Sequence, residues 1–134
     1  MHRHELMLRV VRLLDPVSKT IGLPFFLMRS WFMDNEYSPT TEYDINYVLE
    51  WWKTSKELQT LRRHKIFDCD DYALVFTALA RLITRTNAFG IAVGYAGYPH
   101  AWVIAVTKDK LIYVDPMLCE ITNKKNYLLK SVIF

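Results

Sequence analysis

The hydrophobic period of this chain changes once, from helical to alternating, which restricts it to folds that keep helices and strands apart. Leu6, Val10, Leu13 and Leu14 recur at helical spacing until Asp15-Pro16 stops the pattern, so a first helix is predicted there. Arg3, Arg9 and Arg12 occupy its other face, and Met7, Leu8 and Val11 widen the apolar stripe. That width favours a helix packed on a core over one lying on a membrane. Residues 21–33 are apolar around Pro24 and fit a strand, a short helix or a buried crossing segment. Thr41 and Asp44 form a capping pair for the next helix. Its apolar face, Tyr43, Tyr47, Val48, Trp51 and Trp52, reads as core more readily than as a ligand platform. Residues 56–65 read as a short polar helix or loop ending in the basic cluster Arg62-Arg63-His64-Lys65, a solvated face.

A longer helix follows. Asp68 is a good N-cap, and Asp70 and Asp71 suit the positive end of the helix dipole. Tyr72, Phe76, Leu79 and Ile83 mark its buried side, Ala73 and Ala80 permit close approach, and Asn87 is a plausible stop. Beyond it the period is two, in runs at 89–95, 100–106, 111–115 and 127–134 rich in Val, Ile, Tyr and Trp. Short connections at 96–99 and at Lys108-Asp109 imply antiparallel neighbours. The expected fold class is α+β, a long central helix carrying a cysteine packed on a small antiparallel sheet, with extra N-terminal helices.

A length of 134 residues fits one domain, divided here into an N-terminal helical segment, 1–40, and a core, 41–134. With 51% hydrophobic residues, 4 Gly and 5 Pro, the disordered and collagen-like classes are excluded. The formal charge of +3 comes from interspersed residues and points to neither a nucleic-acid nor a membrane partner. No apolar run approaches the roughly 18 residues of a membrane span, and the N-terminus has no cleavable signal pattern, so a soluble cytoplasmic protein is expected. Cys69 and Cys119 form no CxxC pair and too small a set for a disulfide scaffold, which suits a reduced compartment.

Cys69 opens the long helix, where free N–H groups and the dipole favour an anion and make thiols reactive. A buried, inert cysteine is the alternative, and the negative charge of Asp70 and Asp71 opposes a thiolate. His100 and Asp115 fall on consecutive strands. A two-residue loop at Lys108-Asp109 sets Asp115 opposite Trp102 with His100 as its diagonal neighbour, and a loop at Thr107-Lys108 sets His100 directly opposite it. Either way the two side chains share a face, whereas a three-residue loop would turn Asp115 away. A carboxylate beside an imidazole fixes its tautomer and stabilises its protonated form.

The blocks Phe67-Asp68-Cys69-Asp70-Asp71-Tyr72-Ala73, Pro99-His100-Ala101-Trp102-Val103 and Tyr113-Val114-Asp115-Pro116 together resemble the transglutaminase-like branch of the papain-like cysteine enzymes. The first block and 115–120 also resemble the small C-terminal protease-like domains of mushroom agglutinins, and the likeness covers residues 64–121. It implies a papain/transglutaminase-like core with Cys69 as nucleophile, His100 as general base then acid, and Asp115 as the orienting carboxylate. The implied activity is thiol-dependent acyl transfer, hydrolysing a peptide or isopeptide amide of a protein substrate, with transamidation as the variant. The backbone N–H of Cys69 or Asp70 would supply one oxyanion donor, and Gln59, His64 and Trp31 are candidates for the second. Trp102 would shield the imidazole or line the acyl site, with an ordinary core position as the alternative. No organic cofactor is implied, and a divalent cation such as calcium would give Asp70 and Asp71 a role as oxygen ligands.

Two other readings compete. Cys69, His100 and Cys119, with His64 or Asp115, could form a closed zinc site, although the spacings fit no short zinc signature. A catalytically silent module could also keep this fold for binding or assembly.

Overall fold

A computed structural model describes residues 1–13, 31–61, 66–122 and 124–134. The apolar segment considered at 21–33 lies outside these residues up to residue 30, as does the basic cluster Arg62-Arg63-His64-Lys65.

Helix α1 (Arg3–Leu13) buries Leu6 and Val10, one turn apart, while Leu8 faces solvent. The Arg9 guanidinium donates to the Thr107 carbonyl at 3.2 Å and so ties this helix to a strand turn. Helix α2 (Glu42–Thr54) begins at the expected cap, where Thr41 Oγ1 accepts from the Asp44 N–H at 3.1 Å. Its buried stripe is Ile45, Val48, Leu49 and Trp52, whereas Tyr43, Tyr47 and Trp51 are exposed. The helix carries two apolar stripes on opposite sides, separated by Glu42, Asp44, Asn46, Glu50 and Lys53, and the aliphatic stripe together with Trp52 faces inward. The tyrosines, expected in the core, keep their hydroxyls in water. A short helix α3 (Lys56–Leu61) leads toward α4 (Cys69–Thr84).

Helix α4 is held at its start by Asp71, whose carboxylate accepts from the Asp68 N–H at 3.3 Å. It ends at Arg85, in the left-handed region with φ 56°, whose N–H reaches the Arg81 carbonyl. Asn87, expected as the stop, instead fastens the segment before α2. Its Oδ1 accepts from the Ser38 N–H at 2.8 Å, and its Nδ2 donates to Asp34 Oδ2 at 3.0 Å and the Glu36 carbonyl at 2.8 Å.

Five strands follow: β1 (Phe89–Tyr95), β2 (Pro99–Val106), β3 (Leu111–Asp115), β4 (Glu120–Ile121) and β5 (Leu128–Ile133). They form one antiparallel sheet in the order β4-β3-β2-β1-β5. The β2–β3 register, Val103 with Val114 and Val106 with Leu111, is the one a two-residue loop at Lys108-Asp109 dictates. The β1–β5 register shifts between Val93 and Gly94. A Cβ at Gly94 would run into the Leu128 carbonyl and come within 2.8 Å of the Trp102 ring, so only glycine fits this close approach.

Strand β2 is buried on both faces. Ala101, Val103 and Ala105 join Ile112, Val114, Phe76 and Trp52 on the side of α2 and α4. Trp102, Ile104 and Val106 join Tyr113, Phe134, Leu6 and Val10 on the side of α1. The protein is therefore α+β, with an antiparallel sheet covered by helices on each face. Among the described residues no helix is long and apolar enough to cross a membrane.

Candidate functional site

Asp115 ends β3 as a buried acceptor at which four hydrogen bonds converge. Its Oδ2 lies 2.7 Å from His100 Nε2 and accepts from the Tyr127 hydroxyl at 2.9 Å. Its Oδ1 accepts from the backbone N–H of Met117 at 3.0 Å and of Leu118 at 3.3 Å, which shapes the turn after Pro116. Helix α2 secures the same turn, because Trp52 Nε1 donates to the Pro116 carbonyl at 2.9 Å. The His100 and Asp115 side chains are each 1% exposed. Burial, and then the bond to Asp115, push the Tyr127 phenol well above its ordinary range, so Tyr127 is a permanent donor.

The expected shared face of His100 and Asp115 is thus present, but it is not the face that carries α4. The imidazole packs on the α1 side, 6.1 Å from the rings of both Trp102 and Tyr127, and Tyr98 covers it at 5.1 Å. Cys69, by contrast, packs against the cluster on the α2 and α4 side. The remaining ring nitrogen, His100 Nδ1, is buried and has no hydrogen-bond partner among the described residues, so neither ring nitrogen is bonded to the Cys69 thiol. Strand alternation explains the separation, because residues 101, 103 and 105 point to α4 while 100, 102 and 104 point away from it.

Around Cys69, the ligand atoms of Asp68, Cys69 and Asp70 lie within 4.8 Å of one another. A hydrogen bond between the two carboxyls raises the Asp68 pKa and lowers that of Asp70. Asp71, considered as a cation ligand, is engaged in the helix cap. No disulfide joins Cys69 to Cys119, which is buried with its thiol 3.4 Å from the Pro116 carbonyl. The zinc set considered from the sequence is not brought together among the described residues, and His64 lies outside them.

Beside the Asp115 cluster is a recess of about 330 Å³, at the small end of the usual range for ligand pockets. It is lined by Ala96 and Tyr98 from the β1–β2 turn, by Leu118, Glu120 and Thr122 around β4, and by Asn126 and Tyr127 just before β5. Tyr127 joins buried cluster to recess. Sequence reasoning assigned it no role, because its place depends on β5 pairing with β1, a contact that no local pattern encodes.

No family model and no curated protein sequence matches the chain. Solved structures do match it in fold. One is a PSL1a–E64 complex, with a TM-score of 0.65 and 20% identity, covering 98% of this chain and 49% of that one. Another is Polyporus squamosus lectin bound to the human-type influenza-binding epitope Neu5Acα2-6Galβ1-4GlcNAc, with a TM-score of 0.58 and 21% identity, covering 79% of this chain and 42% of that one. The chain thus spans less than half the length of each, and at this identity the likeness establishes the fold.

These neighbours correct the assignment made from the three sequence blocks. The fold is shared with a lectin, and the expected papain/transglutaminase-like core, with its thiol-dependent peptidase activity, is set aside. Each block has a structural reason of its own. The acids around Cys69 cap and start α4, Ala101-Trp102-Val103 fills both faces of a central strand, and Asp115-Pro116 builds a turn held by Trp52.

Proposed function

We propose that this chain is a binding module without a catalytic triad, and that its ligand is carbohydrate. The observation that carries the first half is the enclosed His100-Asp115-Tyr127 cluster. Its imidazole gives one nitrogen to a buried carboxylate, buries the other, and packs on the far side of the sheet from Cys69. General-base catalysis needs a base within hydrogen-bond reach of the proton it removes, a geometry this thiol and imidazole do not form here. The ligand class is supported by the fold shared with Polyporus squamosus lectin and by an open recess that combines tyrosine rings with carboxylate and amide groups.

The test is a glycan array probed with the full chain, run beside an assay for cleavage of peptide amides. Binding to defined glycans that free sugar competes away and that survives Cys69→Ala supports the proposal. Absence of glycan binding together with amide cleavage that disappears in Cys69→Ala would overturn it.

A further inference from the structure

We infer that the recess between the β1–β2 turn and residues 118–127 is a subsite for a single neutral sugar ring, with Tyr98 as its platform. This rests on the carbohydrate reading above and gives that reading a place. The argument begins with rigidity. Tyr127, which is buried and lines the recess, is fixed by its hydrogen bond to Asp115 and by ring contacts with Trp102 at 5.0 Å and His100 at 6.1 Å. A wall anchored in this way loses little conformational entropy when a ligand settles on it.

Tyr98 is 55% exposed, yet its ring rests 5.1 Å from the buried imidazole, so it is oriented from beneath while remaining open to a ligand. A flat ring in this position suits a ligand with an apolar C–H face. The pyranose ring has one, and it carries hydroxyls around its edge. The recess supplies partners for those hydroxyls. The exposed Glu120 carboxylate only accepts hydrogen bonds, and the exposed Asn126 amide both donates and accepts. Adjacent sugar hydroxyls can donate to the first and exchange both kinds of bond with the second.

The carboxylate also sets the ligand charge. Among the described residues that line this recess none is a cation, whereas Glu120 is an anion, so a sugar acid placed here would meet like charge. Neutral hexoses and N-acetylhexosamines fit this pattern, and sialylated termini do not. The connection to the cluster explains why the turn residue is a tyrosine: the same ring that receives the sugar closes the cluster beneath it.

The experiment is a titration of the isotope-labelled full chain, followed by backbone amide resonances. The probes are methyl glycosides of glucose, galactose, mannose and the corresponding N-acetylhexosamines, with N-acetyllactosamine compared against its α2-6-sialylated form. Saturable shifts at Ala96, Gly97, Leu118 and Asn126 are expected, with neutral sugars preferred. Tyr98→Ala should weaken binding by about tenfold, the ratio that corresponds to losing one aromatic packing contact. Glu120→Gln should reduce discrimination against the sialylated form by about two- to fivefold, the range of an exposed charge interaction. Glu120 is exposed, so Glu120→Gln should melt as the wild type does, whereas Tyr98→Ala also uncovers the His100 ring, and unchanged amide resonances in β3 and β5 show that its fold is intact. Sugar binding that shifts other residues and ignores Tyr98→Ala overturns the subsite while leaving the carbohydrate reading standing, and preference for the sialylated form overturns the charge assignment. No shift with any probe, when the array also finds no glycan, removes both.

Discussion

Replacing Asp115 with alanine should destabilise the protein far more than a typical surface change. The carboxylate accepts from two buried side-chain donors, His100 at 2.7 Å and Tyr127 at 2.9 Å, and from the backbone N–H groups of Met117 and Leu118. Stranding a buried donor costs about 1–3 kcal/mol, so the two side chains alone imply about 2–6 kcal/mol. The backbone groups are only partly buried and regain water, so they add little. A loss of that size is a large fraction of the about 5–15 kcal/mol that holds an ordinary domain together. Urea denaturation with linear extrapolation measures it, and an unchanged slope with a lower midpoint would show that native stability has changed. Asp115→Asn, which keeps the shape and one acceptor, should lose less. A fall of under about 1 kcal/mol for Asp115→Ala would refute the reasoning, and a gain would point instead to a strained site kept for activity.

Trp52→Phe removes the indole N–H from the Pro116 carbonyl and should cost about 1–3 kcal/mol by the same unfolding measurement. Gly94→Ala drives a methyl into the Leu128 carbonyl and the Trp102 ring, and should cost about 1–3 kcal/mol or more while shifting the amide resonances of β5. Tyr127 and Tyr37 have phenols raised above the ordinary value, chiefly by burial, so alkaline titration of phenolate absorbance should show a late component that shrinks in Tyr127→Phe and in Tyr37→Phe. Because the unfolded chain ionises these groups first, their contribution to stability is fully present below about pH 10 and declines as pH rises toward the folded values.

Much of the local architecture was legible in the sequence. Thr41 and Asp44 cap α2, Cys69 opens α4, and β1 and β3 occupy the residues whose period is two. The two-residue loop at Lys108-Asp109 was enough to place His100 and Asp115 on one face. The side of the sheet that receives α4 was not legible. Strand β2 is apolar on both faces, so Pro99–Val106 offers no polar alternation to distinguish the helix side from the other. The contact between thiol and imidazole was therefore inferred from motif order, and motif order does not fix a face. Tyr43, Tyr47 and Trp51 reveal a similar limit, because a helix with apolar stripes on two opposite sides does not declare which one it buries. The recess was beyond reach for another reason: Tyr98, Glu120 and Tyr127 come together only when β4 and β5 are in place at opposite edges of the sheet.

The most direct measurement is the rate at which iodoacetamide alkylates Cys69 at neutral pH, compared between the wild-type chain and His100→Gln, with near-ultraviolet circular dichroism to show that both are folded. If the imidazole is committed to Asp115 and faces away from α4, Cys69 should react at the same modest rate in both, with buried Cys119 slower. Fast alkylation confined to Cys69 in the wild type, and slowed by His100→Gln, would show that the two groups work together in solution and would contradict the binding-module assignment.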